Sequence, residues 1–257
     1  MAEIQLIVQA DDFGMCHAVN EGIVRSFVDG IVTQAAMMAP CPWFEEAVAL
    51  THDHAIPLGL HGTLTCEWDH LRWQPLTGGA SLVGDDGTMH RTIADAIAKL
   101  DADEGLIELE AQAARVEAAG LRVHCCDSHM WPVSPPAYEG LCARLGVRFL
   151  YPILKANIPF ESIRMLSDVE ADDAIPDKKT WLLEHIAGLE PGLHYLCTHP
   201  AVAGPEIASI ARPDADNVVW AERYRVSDLA VLTDPEVRAA IEARGIALVS
   251  AEDLAAG

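Results

Sequence analysis

Short apolar segments alternate along the chain with segments whose apolar residues recur at helical spacing. The segment 18–29, for example, carries Val19, Ile23 and Phe27 on one helical face and is followed by Gly30. The alternation predicts seven strands, at 3–9, 31–37, 56–60, 123–126, 147–150, 193–197 and 246–249. It predicts helices at 18–29, 43–50, 92–100, 103–119, 137–145, 178–187 and 235–244. Residues 151–177 carry no pattern that assigns them to an element.

Polar residues gather at the carboxyl ends of several of these predicted strands. Asp11 and Asp12 follow the first strand, His61 the third, His129 the fourth and His199 the sixth. In (β/α) barrels the catalytic groups come from the carboxyl ends of several different strands. We therefore predict an α/β protein with a distorted, TIM-barrel-like (β/α) barrel of about seven parallel strands. An open doubly wound sheet would show the same alternation of elements and remains the alternative.

Length and composition favour a single domain of the size of an enzyme. They argue against nucleic acid or a membrane as a binding partner. The chain has 257 residues without a repeat or a convincing linker, so we expect a single domain over 1–257. Its 17 basic and 39 acidic side chains give a formal charge of −22, which repels phosphate backbones and anionic membranes. With no cationic leader and no apolar run near the roughly 20 residues that span a bilayer, we expect a soluble cytoplasmic protein.

The seven cysteines form neither a disulfide framework nor a cysteine-rich zinc site. Their number is odd, their spacing is irregular, and no Cys-x-x-Cys pair occurs. This usage fits a reducing compartment. Phosphate-binding glycine loops and a serine nucleophile elbow are also absent from the sequence, which argues against nucleotide binding and serine-hydrolase chemistry.

Asp12, His61 and His129 together have the chemistry of a metal site. One carboxylate and two imidazoles suit Zn²⁺ or another first-row ion, and they can also accommodate Mg²⁺ or Mn²⁺. Each histidine alone is more often a surface or hydrogen-bonded residue, and the chain has 11 of them. Their repeated position after predicted strands is what favours a shared site.

The remaining strand-end residues suggest an acid and a base. Asp11 could take a proton from a metal-activated water, and the imidazole of His199 could protonate a leaving group. Asp127 could orient His129 or another ligand. The alternatives are a helix-initiating turn for Asp11 and loop packing for His199, and spacing alone would allow Asp11 and Asp12 to exchange roles.

The long connection 62–90 is predicted to be an ordered loop that covers this site. Trp68 and Trp73 lie in it, and its length is unusual for a connection without a function. Together with Trp131, these rings could stack on the apolar face of a sugar or could be simple packing residues.

Several sequence motifs span nearly the whole chain and resemble one family. They are Ala10-Asp11-Asp12-Phe13-Gly14, Asn20-Glu21-Gly22-Ile23, Leu58-Gly59-Leu60-His61, Leu64-Thr65, Asp127-Ser128-His129, His199-Pro200, Arg225-Val226-Ser227-Asp228-Leu229 and Gly245-Ile246-Ala247-Leu248. The combination resembles the YdjC (ChbG) family of carbohydrate deacetylases, which are related in plan to the polysaccharide deacetylases. The resemblance implies a distorted (β/α) barrel and a divalent metal, Mg²⁺ or Zn²⁺, held by Asp12, His61 and His129. It also implies Asp11 as the catalytic base and His199 as the acid.

Two positions depart from the family pattern. Met130 and Trp131 stand where many members carry further histidines, which affects the expected substrate contacts more than the metal. Asp228 stands where glutamate is expected and would shorten any ion pair with Arg225.

The sequence therefore leads to one hypothesis with two rivals. The first is metal-dependent removal of an N-acetyl group from an amino sugar or short oligosaccharide by a protein that acts alone or as a homodimer. One rival keeps the metal but cleaves another bond, for example a phosphoester. The other is a barrel that binds a sugar or a metal without turnover.

Overall fold

A computed structural model describes residues 3–150, 160–166 and 177–255. Within these ranges the strands are β1 (Ile4–Phe13), β2 (Gln34–Met37), β3 (Leu58–Gly62), β4 (Val123–Ser128), β5 (Arg148–Phe149), β6 (Phe160–Met165), β7 (Gly192–Thr198) and β8 (Ala247–Leu248). The helices there are α1 (His17–Val28), α2 (Phe44–His54), α3 (Ile93–Lys99), α4 (Ala102–Ala118), α5 (Pro135–Leu145), α6 (Lys178–Gly188), α7 (Pro205–Ala208), α8 (Val218–Ala221), α9 (Arg223–Leu232), α10 (Pro235–Arg244) and α11 (Ala251–Ala255).

The strands form one curled parallel sheet with helices packed around it. Their order is β5-β4-β3-β2-β1-β7-β6, and β8 pairs with the first half of β1. Parallel strands covered by helices are buried on both faces, and Ile7, Val8 and Ala10 in the central strand β1 are accordingly inaccessible to solvent. The structure confirms the predicted distorted (β/α) barrel plan and excludes a flat doubly wound sheet.

Strand β1 does not end before its two acidic residues, as the sequence suggested, but continues to Phe13. Its pairing with β2 shifts register between Ala10 and Phe13, and Asp12 adopts a left-handed backbone conformation with φ of 72°. Such an irregularity turns successive side chains away from the strict alternation of a regular strand. Both Asp11 and Asp12 therefore line the same cavity although they are adjacent in a strand.

Strand β6 lies in the segment 151–177, for which the sequence predicted no element. It pairs in parallel with β7, for example Ile163 with Tyr195 and Arg164 with Leu196. The rest of that segment, 151–159 and 167–176, lies outside the described residues. Helices α7, α8, α9 and α11 were also not predicted, and α9 contributes residues to the site.

Helix α1 fixes the loops that follow β1 and β7. The side chain of Asn20 accepts a hydrogen bond from the backbone N–H of Gly14 at 2.7 Å and donates one to Glu46 at 2.7 Å. A Cβ atom at Gly22 would lie 2.5 Å from Cα of Ala201, so only glycine allows this close approach of α1 to the loop after His199. These contacts explain the roles of the asparagine and the glycine in the motif Asn20-Glu21-Gly22-Ile23.

The loop between β3 and α3 is ordered by its own hydrogen bonds. Arg72 donates to the backbone carbonyls of Cys66 and Met89, and the indole of Trp73 donates to the Thr65 carbonyl at 2.9 Å. Trp68 and Trp73 are buried within this loop. Among the residues described, no helix combines the length and the apolar character needed to cross a bilayer.

Candidate active site

A cavity of about 610 Å³ opens at the carboxyl ends of the strands. Asp11 and Asp12 reach it from β1, His61 from β3, His129 from the end of β4 and His199 from the end of β7. The structure therefore brings together all five residues that the sequence singled out.

Asp12, His61 and His129 form a compact and buried set of donor atoms. Oδ1 of Asp12 lies 3.3 Å from Nε2 of His61 and 3.1 Å from Nδ1 of His129. All three residues are at least 96% buried, and their ligand atoms lie within 4.8 Å of one another. One carboxylate oxygen and two imidazole nitrogens at this spacing fit a divalent ion.

Each of the two imidazoles turns its second nitrogen toward another carboxylate. Nδ1 of His61 lies 2.7 Å from Oδ1 of Asp127, and Nε2 of His129 lies 2.9 Å from Oε2 of Glu67. Such carboxylate partners fix the tautomer and orientation of metal-binding histidines. When the rings are neutral, the nitrogens that face Asp12 are thereby left as acceptors for a metal, which further supports the fit of this donor set.

The carboxylate partners also control the charge of the two rings. Although burial lowers it, the pKa of His129 is raised to about 9 by Glu67 and by the Asp12 carboxylate. The pKa of His61 is likewise raised well above its usual range, by Asp127 and Asp11, against the effect of burial. In the metal-free protein these rings therefore carry positive charge that a bound cation would replace.

Arg225, from helix α9, stabilises the ionised form of Asp12. Its Nη2 atom lies 2.7 Å from Oδ2 of Asp12, and both side chains are buried. Although burial raises it, the pKa of Asp12 is held well below its usual range by this guanidinium and by the two imidazoles. Within the described residues Oδ2 has no partner with hydrogen-bond geometry, so this oxygen retains an acceptor position.

Asp11 has the environment of a base that titrates near neutral pH. Burial and the nearby carboxylate of Asp127 raise the pKa of Asp11 to about 7. Its Oδ1 atom accepts a hydrogen bond from Nε2 of Gln9 at 2.6 Å, and its Oδ2 atom accepts one from the thiol of Cys197 at 3.0 Å. A general base is most effective when its pKa lies near the working pH.

Two buried glutamines position the acids and were not foreseen from the sequence. Nε2 of Gln9 donates to both Asp11 and Asp127, and Oε1 of Gln9 accepts from Nε2 of Gln34 at 2.6 Å. Oε1 of Gln34 in turn accepts from the backbone N–H of Ala251 at 2.7 Å. Because the backbone N–H of Ala251 can only donate, it identifies Oε1 of Gln34 as an acceptor, and this fixes the orientation of both side-chain amides. The available signal was the amide of Gln9 within the otherwise apolar run 6–10 and that of Gln34 at the start of the apolar strand β2.

His199 lies across the cavity from the histidine pair and is held through its backbone. Its N–H donates to Oδ2 of Asp228 at 2.8 Å, and its ring packs edge-on against Trp220. Its Nε2 atom lies 3.9 Å from Oδ2 of Asp11. Burial lowers the pKa of His199 to about 3, so the imidazole is neutral before substrate binds.

Arg225 was considered from the sequence as the ion-pair partner of Asp228, and the structure pairs Asp228 with Lys178. Lys178 donates hydrogen bonds to Asp228 and, at 2.6 Å, to Oγ of Ser227. Arg225 instead forms its ion pair with Asp12. Asp228, whose side chain is shorter than that of the glutamate expected at this position, thus connects Lys178 to the backbone of His199.

The aromatic residues divide into packing and cavity-lining groups. Trp131 lines the cavity and is 39% exposed, so part of its side chain is accessible to solvent. Trp68 borders the cavity but is 1% exposed, and Trp73 packs its ring edge-on against His129. Among the three tryptophans considered for sugar stacking, Trp131 is the one with an accessible surface.

Known proteins resemble this chain over nearly its whole length. The model of the family described as YdjC-like protein matches residues 5–243. A carbohydrate deacetylase from Geobacillus stearothermophilus is 32% identical over 253 residues, covering 95% of each chain. A carbohydrate deacetylase from Vibrio vulnificus strain YJ016 is 27% identical over 266 residues, covering 98% of this chain and 96% of the other.

Solved structures show the same fold. A putative cellobiose-phosphate cleavage protein from Enterococcus faecalis superposes with a TM-score of 0.77 at 23% identity, covering 98% of this chain and 99% of that one. A family 4 carbohydrate esterase from Streptomyces lividans, solved in complex with acetate, superposes with a TM-score of 0.53 at 8% identity, with coverages of 98% and 96%. At these identities the likeness concerns the architecture of the sheet and helices.

Proposed function

This chain belongs to the family of YdjC-like proteins, and from that premise we propose that it is a metal-dependent carbohydrate N-deacetylase. Its substrate is an amino sugar or a short oligosaccharide, from which it hydrolyses an N-acetyl group. The names of the curated relatives support the reaction, and the proposal treats residues 1–257 as one catalytic domain. One observation carries the chemistry: a buried Asp-His-His donor set adjoins a carboxyl whose pKa is about 7.

Asp12, His61 and His129 are the residues that would hold the divalent ion. When bound, such an ion lowers the pKa of water and polarises a carbonyl oxygen. Asp127 and Glu67 keep the two imidazoles oriented for this role through their hydrogen bonds at 2.7 and 2.9 Å. Arg225 keeps Asp12 ionised and therefore able to act as a ligand.

Asp11 is the general base in this proposal. Its carboxylate receives a proton from the attacking water while Gln9 fixes Oδ1, which leaves Oδ2 as the atom that takes the proton. The raised pKa makes Asp11 a stronger base than an exposed carboxylate. The thiol of Cys197, which donates to the same oxygen, must turn away or lose this bond when the proton arrives.

His199 protonates the departing amine nitrogen. Because its pKa of about 3 leaves it neutral at the start, the proton must reach it during turnover. Asp11 is the nearest source, since its Oδ2 atom lies 3.9 Å from Nε2 of His199. The pair can thus pass one proton from water to the leaving group, and neither residue needs to form a covalent bond with the substrate.

Phosphoester hydrolysis remains the second candidate because of one observation. Arg164, on the unforeseen strand β6, lines the same cavity as Arg225 and adds a second cationic group to its lining. Arginine is a common partner of phosphate groups. Arg225, however, is already paired with Asp12. Of these two arginines, Arg164 is therefore the one that favours an anionic substrate.

A direct comparison of released products tests the proposal. The protein, stripped with chelator and reloaded with Mg²⁺ or Zn²⁺, is incubated with a panel of N-acetylated sugars and of sugar phosphates. We expect metal-dependent acetate release and no phosphate release. Phosphate release without acetate would identify the phosphoester rival, and binding of a sugar without either product would identify a non-catalytic barrel.

A further inference from the structure

A second set of metal-binding side chains faces the cavity beside the Asp-His-His set. It consists of Asp11, Cys197 and His199, from the ends of β1 and β7. Oδ2 of Asp11 lies 3.0 Å from Sγ of Cys197 and 3.9 Å from Nε2 of His199. All three ligand atoms fall within 4.8 Å of one another.

These distances are close to those required by a tetrahedral zinc centre. With metal–ligand bonds of about 2.0–2.3 Å, neighbouring ligand atoms around Zn²⁺ are roughly 3.3–3.7 Å apart. The two separations of 3.0 and 3.9 Å bracket that range, so small rotations of the Cys197 and His199 side chains would close the site. The donors also come from two paired strands, β1 and β7, whose relative position is fixed by the sheet.

The chemistry of the second set differs from that of the first. A sulfur donor favours thiophilic ions such as Zn²⁺ and Cd²⁺, whereas Mg²⁺ prefers oxygen ligands. The three residues line the cavity, so a cation entering with solvent meets all of them. Asp11 also lies within 4.8 Å of the His61 and Asp127 ligand atoms, which places the two sets side by side.

We propose that Asp11, Cys197 and His199 form a second, inhibitory cation site that is selective for thiophilic metal ions. Binding forms bonds from the metal to Oδ2 of Asp11, Sγ of Cys197 and Nε2 of His199, and the thiol proton passes to the buffer. A cation held there occupies the oxygen and nitrogen atoms that the hydrolytic reaction uses. Excess Zn²⁺ therefore inhibits the protein, while excess Mg²⁺ does not.

Titration of the metal-free wild-type protein with CdCl₂ tests the site without reference to any activity. The expected result is two bound equivalents by calorimetry and an ultraviolet sulfur-to-metal charge-transfer band, because only the second set contains sulfur. Cys197→Ser should bind one equivalent without the band. Cys142→Ser, which removes a buried thiol of α5 that does not line the cavity, should retain two equivalents and the band. One equivalent and no band in the wild-type protein would overturn the proposal, whatever the variants do.

The inhibition itself rests on the proposed deacetylase function and is measured separately. At a Zn²⁺ concentration ten times the dissociation constant of the second site, acetate release by the Mg²⁺-supported wild-type protein should fall about tenfold. Cys197→Ser should lose much less of its own starting activity. A charge-transfer band without acetate release under any condition would support the site and contradict the function, whereas acetate release that excess Zn²⁺ leaves unchanged would contradict the inhibitory role.

Discussion

The substitution Asp11→Asn should inactivate the protein and at the same time make its metal-free form more stable. A carboxyl whose pKa is 3.8 in the unfolded chain and about 7 in the folded protein holds its proton more tightly when folded. The metal-free protein therefore loses stability as the pH rises from about 4 to about 7. At about 1.4 kcal/mol per pKa unit, the ionised Asp11 costs about 4 kcal/mol at pH 8. Asparagine has the same shape, can accept from Gln9 and carries no charge.

The assay is urea unfolding in the presence of chelator, at pH 8 and at pH 5, for the wild-type protein and the variant. We expect Asp11→Asn to be more stable by about 4 kcal/mol at pH 8 and by about 2 kcal/mol at pH 5, where the wild-type carboxyl is largely protonated. The exposed carboxyl of Asp53 on α2 offers a matched control, and Asp53→Asn should change neither value by more than about 0.5 kcal/mol. A gain in stability that does not depend on pH, or a loss of stability at pH 8, would contradict this effect of the Asp11 charge.

Three further substitutions test other parts of the site. His61→Ala should abolish binding of one metal equivalent by calorimetry, since it removes a ligand nitrogen; retained affinity would mean that the metal lies elsewhere. Glu67→Ala should weaken metal affinity about 10–100-fold by releasing the His129 ring, while Glu67→Gln, which keeps an acceptor, should lose less; equal affinities in all three proteins would contradict this role. Lys178→Met should lower the free energy of unfolding by about 3–5 kcal/mol because the buried carboxylate of Asp228 loses the positive charge of Lys178, and adding Asp228→Asn should restore part of it; no recovery in the double variant would argue against the ion pair.

The elements with a regular apolar pattern were predictable from the sequence. The long apolar run of β1, the helical stripe of α1 and the span of α10 all lie where the pattern placed them. Strand β6 was missed because it lies at an edge of the sheet, is only half-buried and carries Glu161 and Arg164. Helix α9 was missed because it buries charged residues, among them Arg225 and Asp228, which interrupt the apolar stripe that sequence patterns rely on.

The five candidate residues could be located from the sequence because each lies at or near the carboxyl end of a parallel strand. Of their partners, Asp127 was expected to orient His129 or another ligand and in the structure contacts His61, whereas Glu67 and Arg225 were not predicted as partners. Glu67 lies in a long loop, where nothing in the sequence distinguishes it from the other acidic residues, yet it contacts His129 directly. Arg225 reaches Asp12 from an element more than 200 positions along the chain, and such a pairing depends on the fold. The adjacent acids Asp11 and Asp12 face one cavity because of a backbone irregularity, which composition does not reveal.

We propose that two neighbouring acids divide the work, with Asp12 as a metal ligand and Asp11 as the base. Calorimetric metal titration combined with acetate release from an N-acetylated sugar tests it most directly. We expect Asp11→Asn to bind the activating metal with near wild-type affinity but to release no acetate, and we expect Asp12→Ala to lose both binding and activity. Full turnover by Asp11→Asn, or metal binding that survives in Asp12→Ala, would contradict it.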